Sequence, residues 1–141
     1  MIKSLHDLWS TGNVSMIAGI YHPKFIAHWP PSAPIPRREG REAVERGVRS
    51  VRIGFPDWTE HVEDIFAADD RVADRFRSTG THEGNFAGIP ASGNKIDFME
   101  LGLYRIIDGL IIEQWCLFDE IGRLRQMGVN SEQAARAVLG N

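Results

Sequence analysis

The sequence has little of several things, and each scarcity excludes a class of protein. One cysteine, Cys116, in 141 residues leaves no internal disulfide framework. No apolar run reaches the roughly eighteen residues of a membrane-spanning helix, and the formal net charge of −3 gives no reason to expect nucleic-acid or membrane-surface binding. The opening "MIKSLHDLWSTG" lacks the charged-then-apolar layout of a signal peptide, so a cytoplasmic location is expected. His22 and His28 are separated by a proline and an irregular segment, with no cysteine cluster to support zinc. The glycines of "GTHEGNFAGIPASG" lack phosphate-loop spacing, and no G-x-S-x-G occurs. Neither metal nor cofactor is expected.

What is present is the composition of a soluble globular domain, with 43% hydrophobic and 25% charged residues. The length suits one domain over 1–141. "SLHDLWSTGNVSMIAGIY" reads as helix, break, helix, with Leu5, Leu8 and Trp9 on one stripe and Asn13 as a cap. Four prolines from Pro30 to Pro36 predict a loop after a short strand at Phe25 to Ala27. "GREAVERGVRSVRIGF" is a helix with Val44, Val48 and Val51 inward and Glu42 four residues before Arg46. After Pro56 the period becomes two: strands join at Asp69-Asp70 and again around Asp108-Gly109. "EIGRLRQMG" is a short turn or helix leaving the sheet, and "SEQAARAVLGN" a final helix capped by Ser131. Helices first and long strands later predict an α+β fold, a mostly antiparallel sheet curled over helices with a pocket between.

Six stretches in order, "YHPKFIAHWP", "GFPDW", "GTHEGNFAGIP", "ASGNKIDF", "YRIIDGLIIEQW" and "RLRQMG", resemble the SnoaL-like polyketide cyclases, from about Tyr21 to Gly128. That family belongs to the cone superfamily of nuclear transport factor two and ketosteroid isomerase. The resemblance implies a cone-shaped, curved, mixed sheet around N-terminal helices. It also implies cofactor-free ring closure of a polyketide ester by intramolecular aldol condensation, with an aspartate as acid/base, and frequent pairing into a homodimer. The family's aspartate falls at Cys116 and a pocket histidine at Gly102, while Asp119 and His82 match.

With the aspartate replaced by sulfur, another acid must act if chemistry survives. A thiol with an ordinary pKa of about 8.5 is a poor base at neutral pH unless a cation lowers it. The hairpin register decides who stands beside Cys116. A two-residue loop, Asp108-Gly109, sets Gly102 opposite Trp115. A three-residue loop from Ile107 sets Gly102 opposite Gln114 and Glu100 opposite Cys116. The second register keeps the family's two positions on one side and is preferred here. One face then carries Phe98, Glu100, Gly102, Tyr104, Gln114, Cys116 and Phe118.

Glu100, walled by Phe98 and Phe118, would lose solvation and rise in pKa, which suits an acid/base; equally, this face could be the outer surface, with Glu100 solvated. Gly102 would enlarge the cavity. His28, His82 and Asp119 are the assisting catalytic candidates. His28 could equally be structural, His82 could hold a turn, and Asp119 could cap a helix. Trp29 and Phe86 complete the substrate-binding set with the apolar wall, and the expected ligand is an apolar, carbonyl-bearing small molecule. With the family's aspartate absent, proton transfer here could serve an isomerase, a dehydratase or a hydrolase as well as a cyclase; the alternative function is a non-catalytic binder or a dimerising scaffold on the same fold.

Overall fold

The computed structural model describes residues 1–30, 36–130 and 132. Helix α1 (Ile2–Thr11) buries Ile2, Leu5, His6 and Leu8 and ends at Gly12, whose φ of 72° is easy only for glycine. Asn13 then accepts a hydrogen bond from the Ser15 amide and starts a 3₁₀ turn (Val14–Met16) that runs into α2 (Ile17–Ile20). Strand β1 (Tyr21–His28) is longer than the sequence suggested and pairs with a short β2 (Arg37–Glu39), which the proline-rich run concealed. Most of that run, 31–35, and the expected C-terminal helix from Ser131 lie outside the described residues.

Helix α3 (Gly40–Gly54) buries Ala43, Val44 and Val48 and leaves its charges outside, where Glu45 and Arg49 pair one turn apart. Strands β3 (Thr59–Ala68) and β4 (Arg71–Thr81) meet at Asp69-Asp70, and β5 (Lys95–Ile107) and β6 (Leu110–Phe118) at Asp108-Gly109. Among the described residues, six strands run in the order β2-β1-β6-β5-β4-β3. Only the β1–β6 contact is parallel, so the sheet is mixed and mostly antiparallel, as expected. Helix α4 (Glu120–Gln126) does not leave the sheet. It folds back over β5, where Gln126 bonds the Asp97 backbone and Leu124 and Met127 join the core.

The β5–β6 register differs from both sequence readings. The turn has two residues, with Ile107 opposite Leu110, but a bulge at Ile112 shifts the rest of the strand. Gly102 therefore faces Cys116, and Glu100 faces Phe118. The bulge moves the inward positions of β6 from Ile111 to Gln114 and Cys116, restoring the one-sided wall by a different route.

Two apolar clusters hold the cone. One joins α1, α2, β1 and α3 through Leu5, Leu8, Ile20, Phe25 and Val48; the other joins Phe55, Trp58, Ile96, Phe98, Leu124 and Met127. A cavity of about 490 Å³ lies where they meet, within the usual size range of small-molecule sites.

Candidate active site

Alternation along β5 sends Phe98, Glu100 and Tyr104 inward, and β6 beyond its bulge sends Gln114, Cys116 and Phe118 after them. All six line the cavity, with Trp29 from the end of β1 and Phe86 from the β4–β5 loop. Glu100 is buried, 8% exposed. The Ser78 hydroxyl of β4 donates to its Oε1, and the Cys116 thiol lies 3.7 Å from its Oε2. Burial in this wall, reinforced by the negative charge of Glu60, raises the Glu100 pKa to about 7, although Ser78, Arg123 and Cys116 pull the other way.

Cys116 is no substitute base. Burial and the neighbouring Glu100 push its thiol further up, so at neutral pH it is a small buried group that offers Glu100 a weak donor.

Three residues that sequence reading passed over complete the site. His6 of α1 is wedged between two carboxylates: Nδ1 lies 2.6 Å from Glu60 Oε2 and Nε2 lies 2.7 Å from Asp74 Oδ2. Burial opposes a charge on the imidazole, but the bonds to Asp74 and Glu60 outweigh it and raise its pKa to about 9. His6 is thus protonated at neutral pH and donates from both nitrogens. Glu60 lines the cavity with Glu100 and also accepts from Trp58 Nε1 at 3.1 Å. Burial drives both carboxyls up; for Glu60, the His6 and Trp58 donors counter it. The negative charge of Glu60 is one of the causes that raise Glu100, which holds a proton near neutrality. The signal was in the pattern. Trp58-Glu60-Val62 and Val72-Asp74-Phe76-Ser78 each put an acid on an apolar alternation, and Ile2-His6-Trp9 put a histidine on a helical stripe.

The family's own sequence profile decides the ancestry, matching residues 1–127 as "SnoaL-like polyketide cyclase". The chain belongs to the SnoaL-like polyketide cyclase family. Among curated relatives it is 26% identical over 132 residues to the aklanonic acid methyl ester cyclase DnrD of Streptomyces peucetius, covering 91% of this chain and 88% of that one. It is 28% identical over 134 residues to the aklanonic acid methyl ester cyclase DauD of Streptomyces sp. strain C5, covering 91% and 80%. Among solved structures, wild-type IdmH of Streptomyces antibioticus, assigned as a polyketide cyclase, superposes with a TM-score of 0.78 at 30% identity, covering 91% of this chain and 96% of that one.

Within this SnoaL-like frame several sequence expectations change. Gly102 does not enlarge the cavity. A Cβ there would come within 2.2 Å of the Tyr104 hydroxyl and 2.5 Å of Asp74 Oδ1. Asp74 fills the space, accepting from the Gly102 amide at 3.1 Å and from Tyr104 at 3.3 Å. His28 is not in the pocket: it points to the outer face, stacks on Trp115 and bonds Glu113 at 2.9 Å, because β1 sends Phe25 and Ala27 inward and its neighbours outward. His82 is fully buried away from the cavity, stacked on Phe55 and bonded to Ser92 at 3.0 Å, so it clasps the β4–β5 loop. Asp119 caps α4, accepting from the Gly122 amide at 2.8 Å. Of the four catalytic candidates, only Glu100 lines the cavity.

Proposed function

We propose that this SnoaL-like chain is a cofactor-free cyclase acting on an apolar, carbonyl-bearing small molecule, with Glu100 as its acid/base. The observation that carries this is Glu100 itself: a cavity-lining carboxyl raised to about pH 7, with the thiol that occupies the family's aspartate position 3.7 Å from its Oε2. A group half ionised at working pH can both take and return a proton. In an aldol closure, the Glu100 carboxylate takes a proton from a carbon next to a carbonyl. The enolate carbon attacks a second carbonyl of the same molecule, forming the new carbon–carbon bond. The resulting alkoxide takes the proton back from Glu100, so no atom is gained or lost. Glu60, held by His6 and Trp58, keeps a negative charge beside Glu100 and sustains its raised pKa.

The protein is further proposed to work in the cytoplasm as a homodimer, its subunits joined through the outer sheet face that exposes Met99, Leu101, Leu103 and Leu117. A second reading is a pocket that binds such molecules without turning them over. It is favoured by Cys116, since a thiol pushed up by burial cannot do the work of the replaced aspartate. Carboxyl-resolved NMR titration, with Glu100→Gln as the assignment control, separates the two when paired with a screen of small diketones and keto esters. Titration near pH 7 with turnover that Glu100→Gln abolishes is the expected result. A Glu100 that titrates near pH 4.5 overturns the catalytic reading.

A further inference from the structure

Arg123 shares the cavity with Glu100 yet takes no part in the proton transfer. Three rings crowd around its guanidinium: the central carbon lies 4.8 Å from the Phe118 ring centre, 5.2 Å from Phe86 and 5.9 Å from Phe98. Ring faces attract the charge but accept few of its five N–H bonds. Among the described residues its hydrogen-bond partner is Glu120, at a long 3.4 Å, and its Nε is buried with no partner. A cation withdrawn from water with its donors this poorly matched is costly, unless a ligand completes it.

The surroundings indicate what kind of ligand. Phe118 packs edge-on to Trp29, with centroids 5.8 Å apart, and Arg38 lies over Trp29 at 5.5 Å. Arg38, Trp29, Phe118 and Arg123 thus form a row along one wall, flat rings in the middle and a guanidinium at each end. Rings of this kind take flat conjugated molecules, and a planar guanidinium fork matches a carboxylate with two parallel bonds. Arg38, whose Nε is likewise buried with no partner, is the weaker candidate for that group, because its side chain is only half-buried and faces the positive charge of Arg46.

We propose that the cavity selects a flat, conjugated molecule bearing a free carboxylate, with the carboxylate held by Arg123 and the ring system in the corner between the perpendicular Trp29 and Phe118 rings, flat on one and edge-on to the other. This rests on the reading of the cavity as a small-molecule site. It departs from the two curated relatives, which are named for a methyl ester, a group without that charge.

The test compares binding of 2-naphthoate and methyl 2-naphthoate by calorimetry at pH 7, in the unaltered protein and in Arg123→Gln, Arg123→Lys and Arg38→Gln. The acid should bind more tightly than the ester by on the order of tenfold, the scale of one charge-assisted pair. Arg123→Gln should erase that preference while leaving ester affinity in place, which also reports that the variant is folded. Arg123→Lys should keep part of the preference, and Arg38→Gln most of it. Equal affinity for acid and ester in the unaltered protein overturns the carboxylate subsite and leaves the pocket standing. A preference that survives Arg123→Gln overturns the assignment to Arg123. Binding of neither probe overturns both the subsite and the small-molecule reading on which it rests. If Arg123→Gln does not fold, the acid-to-ester ratio of the unaltered protein and its retention in Arg123→Lys decide.

Discussion

The His6 imidazole donates to the Asp74 carboxylate across 2.7 Å, although 68 residues separate them in the chain. The contact ties the first helix to the fourth strand behind the cavity and leaves the other ring nitrogen to hold Glu60. Its pH dependence follows from the raised His6 pKa of about 9. A folded-state value above the unfolded one of about 6.5 contributes stability that is complete below pH 6.5 and lost as pH rises through 9. The loss should be about 3 kcal/mol. Denaturant midpoints measured from pH 6 to 10, with the His6 ring followed by NMR, check this. A ring that titrates near 6.5 contradicts it.

Glu100 carries the same sign. Its folded pKa of about 7 lies above the ordinary carboxyl value, so stability present below pH 4.5 declines as pH rises through 7. Glu100→Gln keeps the shape and an acceptor for Ser78 but removes the buried charge. At pH 8 the variant should therefore be more stable by up to about 3 kcal/mol, while losing turnover. Urea unfolding at pH 5 and pH 8 checks it: the gain should appear only at the higher pH.

Ser78→Ala removes the hydroxyl that donates to Glu100 Oε1. That bond favours the charged carboxylate, so its loss should move the Glu100 titration up by about one pH unit. The basic form would then be scarcer at neutral pH. The ascending limb of the rate profile should move by the same amount, which a merely structural role for Ser78 would not produce.

Gly102→Ala should destabilise the protein by about 1–3 kcal/mol through overpacking. The new methyl would collide with the Tyr104 hydroxyl and Asp74 Oδ1, neither of which can withdraw without breaking the His6 network. Thermal unfolding measures the loss. The Cys116→Ala variant, which removes a side chain across the hairpin without adding one, serves as the comparison.

Leu101 and Leu117 lie directly opposite one another on the outer face, 45% and 59% exposed, which is the pattern of a face awaiting a cover. Leu101→Glu combined with Leu117→Glu should convert a dimer to a monomer in sedimentation equilibrium, with the far-UV spectrum unchanged. A protein that is already monomeric at high concentration would remove the proposed interface.

The inward wall of β5 was legible because strict alternation from Phe98 to Tyr104 admits one face, and that face proved to be the cavity. The β6 half was legible in composition but not in register. Nothing in "LIIEQW" distinguishes a longer turn from a two-residue turn with a bulge, since both shift the strand's parity. His28 was misplaced by proximity: it adjoins Trp29, which does enter the pocket, but neighbours on a strand face opposite ways. His6, Glu60 and Asp74 went unseen because their meaning is mutual. Each looks like an ordinary polar residue until three distant elements bring them within bonding distance.

The bulge at Ile112 acts on this fold as a frameshift acts on a message. Upstream of it β6 reads inward on odd numbers, downstream on even. Were Ile112 instead to enter the ladder opposite Arg105, every later side chain would stay chemically intact and the lining would change all the same. Gln114, Cys116 and Phe118 would turn out to solvent, and Glu113, Trp115 and Leu117 would turn in. Such a hairpin holds two complete pocket walls in one strand, and a one-residue slip of register separates them.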